Sequence, residues 1–335
     1  MRVYEVAKGS ESFDGLRLAE RRMPEPGPRQ VLVQMRAASL NYRDLAIALG
    51  MYFSGPVSRN TIPLSDGAGE VVAIGDDVTV FDKGDRVATL FTQPRGGTLG
   101  SPLDGALAEY AVFDEDGLVE LPEHLSYEEG ACLPCAGVTA WNALYGGKPL
   151  RPGATVLTLG TGGVSTIALQ LARAAGARVV ITSSNDAKLE RARVLGADIC
   201  INYKTTRDWA GAVLELTDGH GADHIVEVGG VGTLPQSFRA VAPGGEIALI
   251  GVLSPQEDDL APHALMTKNA SLRGIFIGGF VDGARQFTDL NAALAVNDLR
   301  PVVDEVFDFE DASRAYEHLA SAAHFGKVVI AIHPS

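Results

Sequence analysis

The spacing of apolar and polar positions divides the chain into regions of two kinds. Residues 1–125 contain short apolar runs, such as those at 31–35, 69–74 and 86–90, separated by clusters of glycine, proline and aspartate, which is typical of an irregular β domain. From residue 126 to 271 apolar strands alternate with helical patterns, and the strands fall at 155–159, 178–182, 199–201, 224–228 and 246–250. That alternation predicts a doubly wound parallel sheet, with helices at 165–175 and 187–195.

The last part of the chain returns to the mixed composition of the first. It has an apolar run near 272–277, a helical pattern around 311–320 and a final strand at 327–331. We therefore predict an α/β protein of two domains, in which a nucleotide-binding domain, residues 126–271, is inserted into a β-rich domain formed by residues 1–125 and 272–335.

A glycine-rich turn follows the strand at 155–159 and leads into a helical pattern. The turn consists of Gly160, Thr161, Gly162, Gly163 and Val164. Gly160 permits a tight turn, and Gly162 lets the backbone approach a pyrophosphate whose charge lies over the first N–H groups of the helix. Since a strand precedes the turn, a helix follows it and a second strand comes next at 178–182, the segment predicts a dinucleotide-binding site.

The residues after the second strand bear on the choice of cofactor. In dinucleotide-binding folds an acidic side chain there binds the ribose hydroxyls of NAD and repels the 2′-phosphate of NADP. This chain has Ser183 and Ser184 instead, and Lys188 and Tyr203 offer further donors to a phosphate. We therefore expect NADPH, with NADH as the alternative because Asp186 lies only a few residues further on. The segment has a second interpretation, in which the serines and the neighbouring Asn185 only cap the following helix.

The composition of the 335-residue chain narrows the partners and the compartment. A formal net charge of −14, from 28 basic and 42 acidic residues, argues against nucleic acid and anionic membranes as partners. The sequence has no apolar run of the ~20 residues that span a membrane, and its first residues lack the apolar core of a signal peptide. With only three cysteines there is no disulfide framework, so we expect a cytoplasmic protein whose partner is a small molecule.

Five motifs, taken in order, resemble the medium-chain dehydrogenase/reductase superfamily, which includes zinc alcohol dehydrogenases and zinc-free quinone oxidoreductases. They lie at 31–44, 66–71, 105–110, 160–165 and 326–329 and extend over essentially the whole chain. The resemblance implies that the β-rich domain is a GroES-like catalytic domain and that the inserted domain has the Rossmann fold. It also implies a homodimer in which the apolar stretch 272–277 pairs across a two-fold axis.

The resemblance also indicates which metal ligands are missing. Zinc in the alcohol dehydrogenase branch is held by cysteine, histidine and cysteine, and the matching positions here are Asn41, Ser65 and Cys135. One thiolate and one amide do not make a tetrahedral zinc site. The lobe that binds structural zinc in the family needs four closely spaced cysteines, and residues 92–114 contain none. We therefore predict a protein without zinc or any other bound metal.

The same resemblance implies roles for other residues. It places Asn41 beside the nicotinamide and the substrate oxygen, with Tyr42 and Tyr52 either as hydrogen-bond donors and pocket walls or as ordinary packing residues. Lys327 would reach the cofactor or pair with Asp44. Further contacts with the cofactor are implied for Thr139, Val228, Gly229, Gly251, Val252, Leu253, Phe276 and Ile277.

These features favour reduction of an electron-poor acceptor. Without zinc, and with Arg43 in place of the hydroxyl of the family's proton relay, oxidation of a simple alcohol lacks an electrophile. Hydride transfer from NADPH to a quinone or an α,β-unsaturated carbonyl needs mainly orientation and exclusion of water. Two alternatives stay open: a zinc-independent alcohol dehydrogenase with Tyr42 or Tyr52 as proton donor, and a nucleotide-binding sensor or structural protein with little turnover. The glycine-rich loop 95–102 either lies over the substrate cleft or is a surface excursion.

Overall fold

The computed structural model describes residues 1–251, 253, 262–277 and 282–333. The chain forms two compact units, the first from Met1–Val138 with Ile277–Ser335 and the second from Thr139–Phe276. The sequence suggested boundaries at 125 and 271. The first boundary comes later because the helix Tyr127–Ala131 belongs to the first unit, where Ser39 donates a hydrogen bond of 2.7 Å to the carbonyl of Ala131.

The elements of the described residues are numbered in chain order. The strands are β1 (Arg2–Val6), β2 (Leu16–Glu20), β3 (Gln30–Ser39), β4 (Asp66–Ile74), β5 (Arg86–Thr89), β6 (Tyr110–Asp114), β7 (Leu118–Glu120), β8 (Thr155–Leu159), β9 (Arg178–Ser183), β10 (Ile199–Asn202), β11 (Ala222–Glu227), β12 (Val241–Leu249), β13 (Ser271–Gly274), β14 (Val303–Asp308) and β15 (Lys327–Ala331). The α-helices are α1 (Tyr42–Ala48), α2 (Tyr127–Ala131), α3 (Val138–Tyr145), α4 (Gly163–Ala174), α5 (Asp186–Val194), α6 (Trp209–Leu216), α7 (Leu234–Ala240), α8 (His263–Lys268), α9 (Gly283–Val296) and α10 (Ala312–Ala320). Over the part of the chain that the structure describes, no helix is both long and apolar enough to cross a membrane.

The first unit is built on a mixed sheet in the order β14-β15-β3-β4-β5-β7, and β6 also pairs with β3. The ten-residue strand β3 buries alternate residues along its first part, as a period of two predicts for a strand with one face in a core. It runs antiparallel to β4, β6 and β15, whereas β14 is parallel to β15. The core of the unit includes the buried side chains of Met35, Leu40, Phe309 and Tyr316.

The second unit contains a parallel sheet in the order β10-β9-β8-β11-β12-β13. From β8 the chain continues to β9 and β10 on one side of the sheet. It then crosses to the other side of β8 and continues through β11, β12 and β13. The direction of winding therefore reverses between β8 and β11. This order is that of the Rossmann fold. All five residues of β8 are buried, as expected of a central strand covered on both faces. The predicted α/β architecture, a doubly wound sheet inserted into a β-rich domain, is therefore confirmed.

Candidate functional site

A cavity of about 470 Å³ lies in the second unit, where β8 and β11 end. Its lining includes Gly160 after β8, Val228 and Gly229 after β11, and Tyr203 and Arg207 after β10. In open α/β sheets ligands bind at the carboxyl ends of the strands, at the point where the winding reverses. The cavity therefore has the position and the size expected of part of a dinucleotide site.

The turn after β8 has a conformation that suits a pyrophosphate. Gly160 adopts a positive φ of 71°, which residues with a side chain rarely adopt. The hydroxyl of Ser165 donates a hydrogen bond of 2.7 Å to the carbonyl of Leu159 and so ties the first turn of α4 to the end of β8. Gly162 precedes α4 as its N-cap residue, and the first N–H groups of a helix have no partners within it. The predicted residues 160–164 thus offer backbone donors to a negatively charged group.

Glu227 is a buried carboxylate that shapes the turn after β11, and it was not predicted from the sequence. Its Oε1 accepts hydrogen bonds from the N–H groups of Gly229 and Gly230, at 2.8 and 3.1 Å, and from the hydroxyl of Thr233. Its other oxygen accepts from the hydroxyl of Ser237. Four donors within one short segment therefore fix the turn that lines the cavity. The available signal was a carboxylate at the end of an apolar strand, separated by one residue from a pair of glycines.

Gly251 allows the end of β12 to approach the end of β11 closely. A Cβ at this position would lie 2.4 Å from the carbonyl oxygen of Val228, which is far too short for a real contact. The close approach occurs between two backbone segments, and it brings the chain back towards the turn that Glu227 fixes. Leu253 lines the cavity, whereas Val252 lies outside the described residues.

Of the four residues predicted to bind a 2′-phosphate, one lines the cavity. Tyr203 lines it, and Ser183, Ser184 and Lys188 are not among its lining residues. Ser183 is buried, and its hydroxyl accepts the N–H of Asn185 at 3.4 Å. Asn185 in turn caps α5 by accepting the N–H of Lys188 at 3.2 Å. The capping interpretation of this segment thus holds for Asn185, and a phosphate role for the two serines stays a prediction.

Arg207 is a lining residue that the sequence did not single out. It lies two residues before the buried Trp209, which begins α6. Asp186, the reason for keeping NADH as an alternative, accepts a hydrogen bond of 2.7 Å from Asn202 and lines a separate groove. Among the described residues that line the cavity, the formal charge comes from Arg207 and none is acidic.

The other residues predicted to contact the cofactor or the substrate differ in their exposure to solvent. Thr139, in α3, is 4% exposed. Tyr42, the first residue of α1, and Phe276 are each 54% exposed, whereas Ile277 is buried. Their roles towards a cofactor or a substrate stay predictions.

Asn41 and Lys327 form the centre of a polar cluster in the first unit. β15 runs antiparallel to β3 with Val329 opposite Ser39, so Lys327 reaches the end of β3, where Asn41 precedes α1. Lys327 Nζ donates hydrogen bonds of 2.6 Å to Asn41 Oδ1 and of 2.6 Å to the carbonyl of Leu40. Asn41 Nδ2 is buried and has no hydrogen-bond partner among the described residues.

The expected pairing of Lys327 with Asp44 was wrong. The ammonium group of Lys327 contacts Asn41 directly, and the carboxylate that it approaches is that of Asp66, at 3.9 Å. Asp44 is the third residue of α1, and its carboxylate turns back to accept the N–H of Asn41 at 2.7 Å, where it caps the helix. Burial raises the pKa of Asp44 to about 6, although the nearby charge of Arg43 lowers it in part.

Arg43 anchors the glycine-rich loop 95–102. Its side chain is 8% exposed, and the guanidinium lies over the rings of Tyr52 and Phe91, at 5.2 and 4.8 Å from their centroids. It donates hydrogen bonds to the carbonyls of Leu99, at 2.8 Å, and Ser101, at 3.3 Å. The loop is therefore fixed to the first unit by a buried cation, and Tyr52 packs against the same cation.

The three positions that match the catalytic zinc ligands of the superfamily, Asn41, Ser65 and Cys135, each have other surroundings in this structure. The oxygen of Asn41 already accepts a hydrogen bond from an ammonium group. Ser65 donates a hydrogen bond of 2.6 Å to Asp66, and burial raises the pKa of the Cys135 thiol. Within residues 1–251, 253, 262–277 and 282–333, no group of three or more histidine, cysteine, aspartate or glutamate residues could hold a metal ion.

The sheet order, the glycine turn and the cavity at the carboxyl ends of β8 and β11 define a protein with a dinucleotide-binding domain of the Rossmann type. Residues 27–123 match the family of alcohol dehydrogenase GroES-like domains, and residues 163–295 match the family of zinc-binding dehydrogenases. The chain belongs to the medium-chain dehydrogenase/reductase superfamily, so the resemblance seen in its motifs is confirmed.

Individual relatives cover nearly the whole chain. It is 45% identical to a zinc-type alcohol dehydrogenase-like protein of Schizosaccharomyces pombe, over 98% of this chain and 99% of that protein. It is 31% identical to the quinone oxidoreductase of Sus scrofa, over 92% and 91% of the two chains. Among solved structures it resembles an NAD-dependent alcohol dehydrogenase, with a TM-score of 0.91, 33% identity and coverage of 99% and 100%. It also resembles a mycobacterial protein complexed with NADPH, with a TM-score of 0.83, 26% identity and coverage of 99% of each chain.

Proposed function

We propose that this protein is an NADPH-dependent oxidoreductase that transfers hydride to a quinone or an α,β-unsaturated carbonyl without zinc. The observation that carries the proposal is the side-chain nitrogen of Asn41, which is buried and has no partner in the part of the chain that the structure describes. Buried N–H groups without a partner are rare in folded proteins, because each one loses its hydrogen bonds to water. A carbonyl oxygen of a bound acceptor is the kind of group that would satisfy this donor.

The chemistry follows from that donor. NADPH, when bound, supplies two electrons as a hydride. With an enone as acceptor, the hydride adds to the β-carbon, the electron pair of the double bond moves onto the carbonyl oxygen, and the resulting enolate takes a proton from solvent water at the α-carbon. The NH₂ group of Asn41 stabilises the negative oxygen as it forms, and one such donor contributes about 100-fold or more to kcat in well-characterised enzymes.

Independence from zinc is supported by the side chains at the positions that match the zinc ligands, and not by the names of the related proteins. The relatives include proteins named as zinc-type and as quinone oxidoreductases. In this chain the first of the three matching positions is an amide whose oxygen accepts from Lys327, the second is a hydroxyl that donates to Asp66, and only the third is a thiol. A conjugated acceptor also needs no metal, since its developing negative charge is delocalised.

The preference for NADPH is supported by Arg207 and Tyr203. Both line the cavity, and no acidic residue lies among its described lining residues to repel a 2′-phosphate. A guanidinium is well suited to bind phosphate oxygens through paired hydrogen bonds. The solved relatives include one named as NAD-dependent and one complexed with NADPH, so the choice of cofactor rests on this chain's own residues.

We also propose that the protein is a homodimer. β13 is the last strand of the six-stranded sheet, and its outer edge has no partner among the described strands. Leu272 in that strand is 38% exposed. An open edge with apolar side chains favours pairing with a second copy across a two-fold axis. A solution mass equal to that of one chain would contradict this.

The experiment that tests the function compares oxidation of NADPH and NADH by the metal-chelated protein. The acceptors are 1,2-naphthoquinone, an α,β-unsaturated ketone and a simple saturated ketone. We expect reduction of the quinone or the enone, faster with NADPH than with NADH and unchanged by chelation. Turnover of the saturated ketone alone would point to an alcohol dehydrogenase, and NADPH binding without turnover would point to a sensor; either result would overturn the proposal.

A further inference from the structure

Lys327 is a buried ammonium group whose contacts have a definite direction. Its side chain is 4% exposed, and its Nζ donates to two oxygens, Asn41 Oδ1 and the carbonyl of Leu40, each at 2.6 Å. Asp66 lies 3.9 Å away, beyond hydrogen-bond distance, and its own oxygens accept from the hydroxyl of Ser65 and the N–H of Cys135. The ammonium group is therefore committed to the amide and the backbone carbonyl.

These contacts fix which end of the Asn41 carboxamide is available to a ligand. A lysine ammonium has donors and no acceptor, so the group that faces it must be the amide oxygen. The NH₂ group consequently points away from Lys327, where it is buried without a partner in the described residues. The positive charge on the oxygen side also polarises the amide and makes its N–H groups stronger donors.

We propose that Lys327 is a positioning residue: it holds the Asn41 amide so that only the NH₂ group is available to a ligand. The site therefore binds hydrogen-bond acceptors, such as the oxygens of carbonyls, quinones and enolates. The proposal rests on the proposed function and deepens it. Because the amide oxygen is occupied, Asn41 can donate a hydrogen bond to a bound oxygen and has no free acceptor for the hydroxyl of an alcohol. The site is thus built to stabilise the product of hydride addition rather than to deprotonate a substrate.

The first test is a double-mutant cycle on the whole protein, with the enone and the quinone as acceptors. Asn41→Ala is expected to lower kcat by about 100-fold and Lys327→Met by about 10-fold, with KM for NADPH unchanged. In the Asn41→Ala background, Lys327→Met should change kcat by less than about 2-fold, because Lys327 then has no amide to orient. Equal losses from Lys327→Met in both backgrounds would overturn the proposal.

Two further variants separate orientation from folding. Asn41→Asp keeps an acceptor for Lys327 and removes the donor, so it should fold normally and still lose about as much kcat as Asn41→Ala. Lys268→Met is the matched control, since Lys268 also donates to backbone carbonyls, those of Phe238, Arg239 and Val241, and to no side-chain amide of the described residues. It should lower thermal stability and leave kcat within about 2-fold. Retention of wild-type kcat by Asn41→Asp would contradict the assigned polarity.

A readout independent of turnover distinguishes failure of this inference from failure of the proposed function. The side-chain ¹⁵N–¹H resonances of Asn41 can be assigned by their loss in Asn41→Ala. Lys327→Met should move them, and Lys268→Met should not. If the wild-type protein reduces none of the acceptors, the proposed function fails while this measurement still reports on the orientation of the amide. Asn41 resonances that are unchanged in Lys327→Met would overturn the positioning role.

Discussion

The cofactor cavity and the Asn41 cluster are assembled in different ways. In the second unit the turn that lines the cavity is fixed by Glu227, whose partners all lie within ten residues of it along the chain. In the first unit Lys327 contacts Asn41 across 286 residues of sequence, and the two meet only because β15 pairs with β3. A local motif at the end of a strand is enough to shape the cofactor cavity, whereas the Asn41 cluster requires the completed sheet of the first unit.

The two regions also differ in charge. The described lining of the cavity contains one formal charge, that of Arg207, and otherwise offers backbone and neutral polar groups. The cluster in the first unit concentrates four buried ionisable side chains, Arg43, Asp44, Asp66 and Lys327. We therefore expect changes in the second unit to act on cofactor binding, and dependence on pH to arise in the first unit.

The largest effect is expected from Glu227→Ala. The substitution leaves two N–H groups and two hydroxyls without their buried acceptor, so we expect the free energy of unfolding to fall by about 4 kcal/mol. The turn at 228–230 should lose its shape, and the affinity for the nicotinamide cofactor should fall at least about 10-fold. Denaturant unfolding and titration calorimetry measure the two quantities.

The matched control is Glu190→Ala, which removes an exposed glutamate that pairs with Arg193 one turn away on α5. This change should be close to neutral in both measurements, because exposed ion pairs contribute little. If Glu227→Ala lowered stability and left cofactor affinity at the wild-type value, the turn that Glu227 fixes would not be needed to bind the cofactor.

Asp44 should make the stability of the first unit depend on pH. Its pKa is raised from 3.8 to about 6 in the folded protein, chiefly by burial. Between these two values the native state holds a proton that the unfolded chain has released, so the contribution of Asp44 to stability falls as the pH rises and is lower by about 3 kcal/mol above pH 6. Asp44→Asn removes this titration while keeping an oxygen that can accept the N–H of Asn41.

The measurement is the difference in free energy of unfolding between Asp44→Asn and the wild-type protein from pH 4 to pH 7. We expect the difference to move in favour of the variant by about 2 kcal/mol over that range, since at pH 4 the unfolded chain already holds part of a proton at Asp44. A difference that stays constant with pH would mean that the carboxylate of Asp44 is charged and well paired in the folded state, and the contrast in pH dependence between the two regions would then disappear.

The parts of the fold that sequence predicts well are those set by short-range periodicity. The predicted strands at 155–159 and 178–182 correspond to β8 (Thr155–Leu159) and β9 (Arg178–Ser183), and the final strand at 327–331 corresponds to β15 (Lys327–Ala331). β12 begins at Val241 rather than at 246, because Val241 pairs with Ala222 before an irregularity in the register. No periodicity marks that early pairing, since it depends on where β11 lies.

The contacts that sequence could not predict depend on distant pairing or on competition between nearby partners. By charge, Asp44 was a reasonable partner for Lys327. Its carboxylate instead accepts the N–H of Asn41 at the N-terminus of α1. Lys327 then bonds to Asn41, which no local pattern indicates. Arg207 was missed for a related reason: it lies in a loop, and its place beside Tyr203 in the cavity depends on the path of the chain between β10 and α6.

The smallest expected effect, and the most specific, is that of Arg207→Ala on the choice of cofactor. If the guanidinium binds the 2′-phosphate, the Kd for NADPH should rise about 10-fold, which corresponds to one charge-assisted hydrogen bond, and the Kd for NADH should change by less than about 2-fold. The backbone of the loop should keep its position, because Gln236 donates its hydrogen bond to the carbonyl of Arg207 rather than to its side chain. Arg193→Ala is the control, since it removes an arginine that lines the separate groove. Equal weakening of both cofactors would mean that Arg207 only shapes the wall of the cavity, and the basis for preferring NADPH would pass to Tyr203.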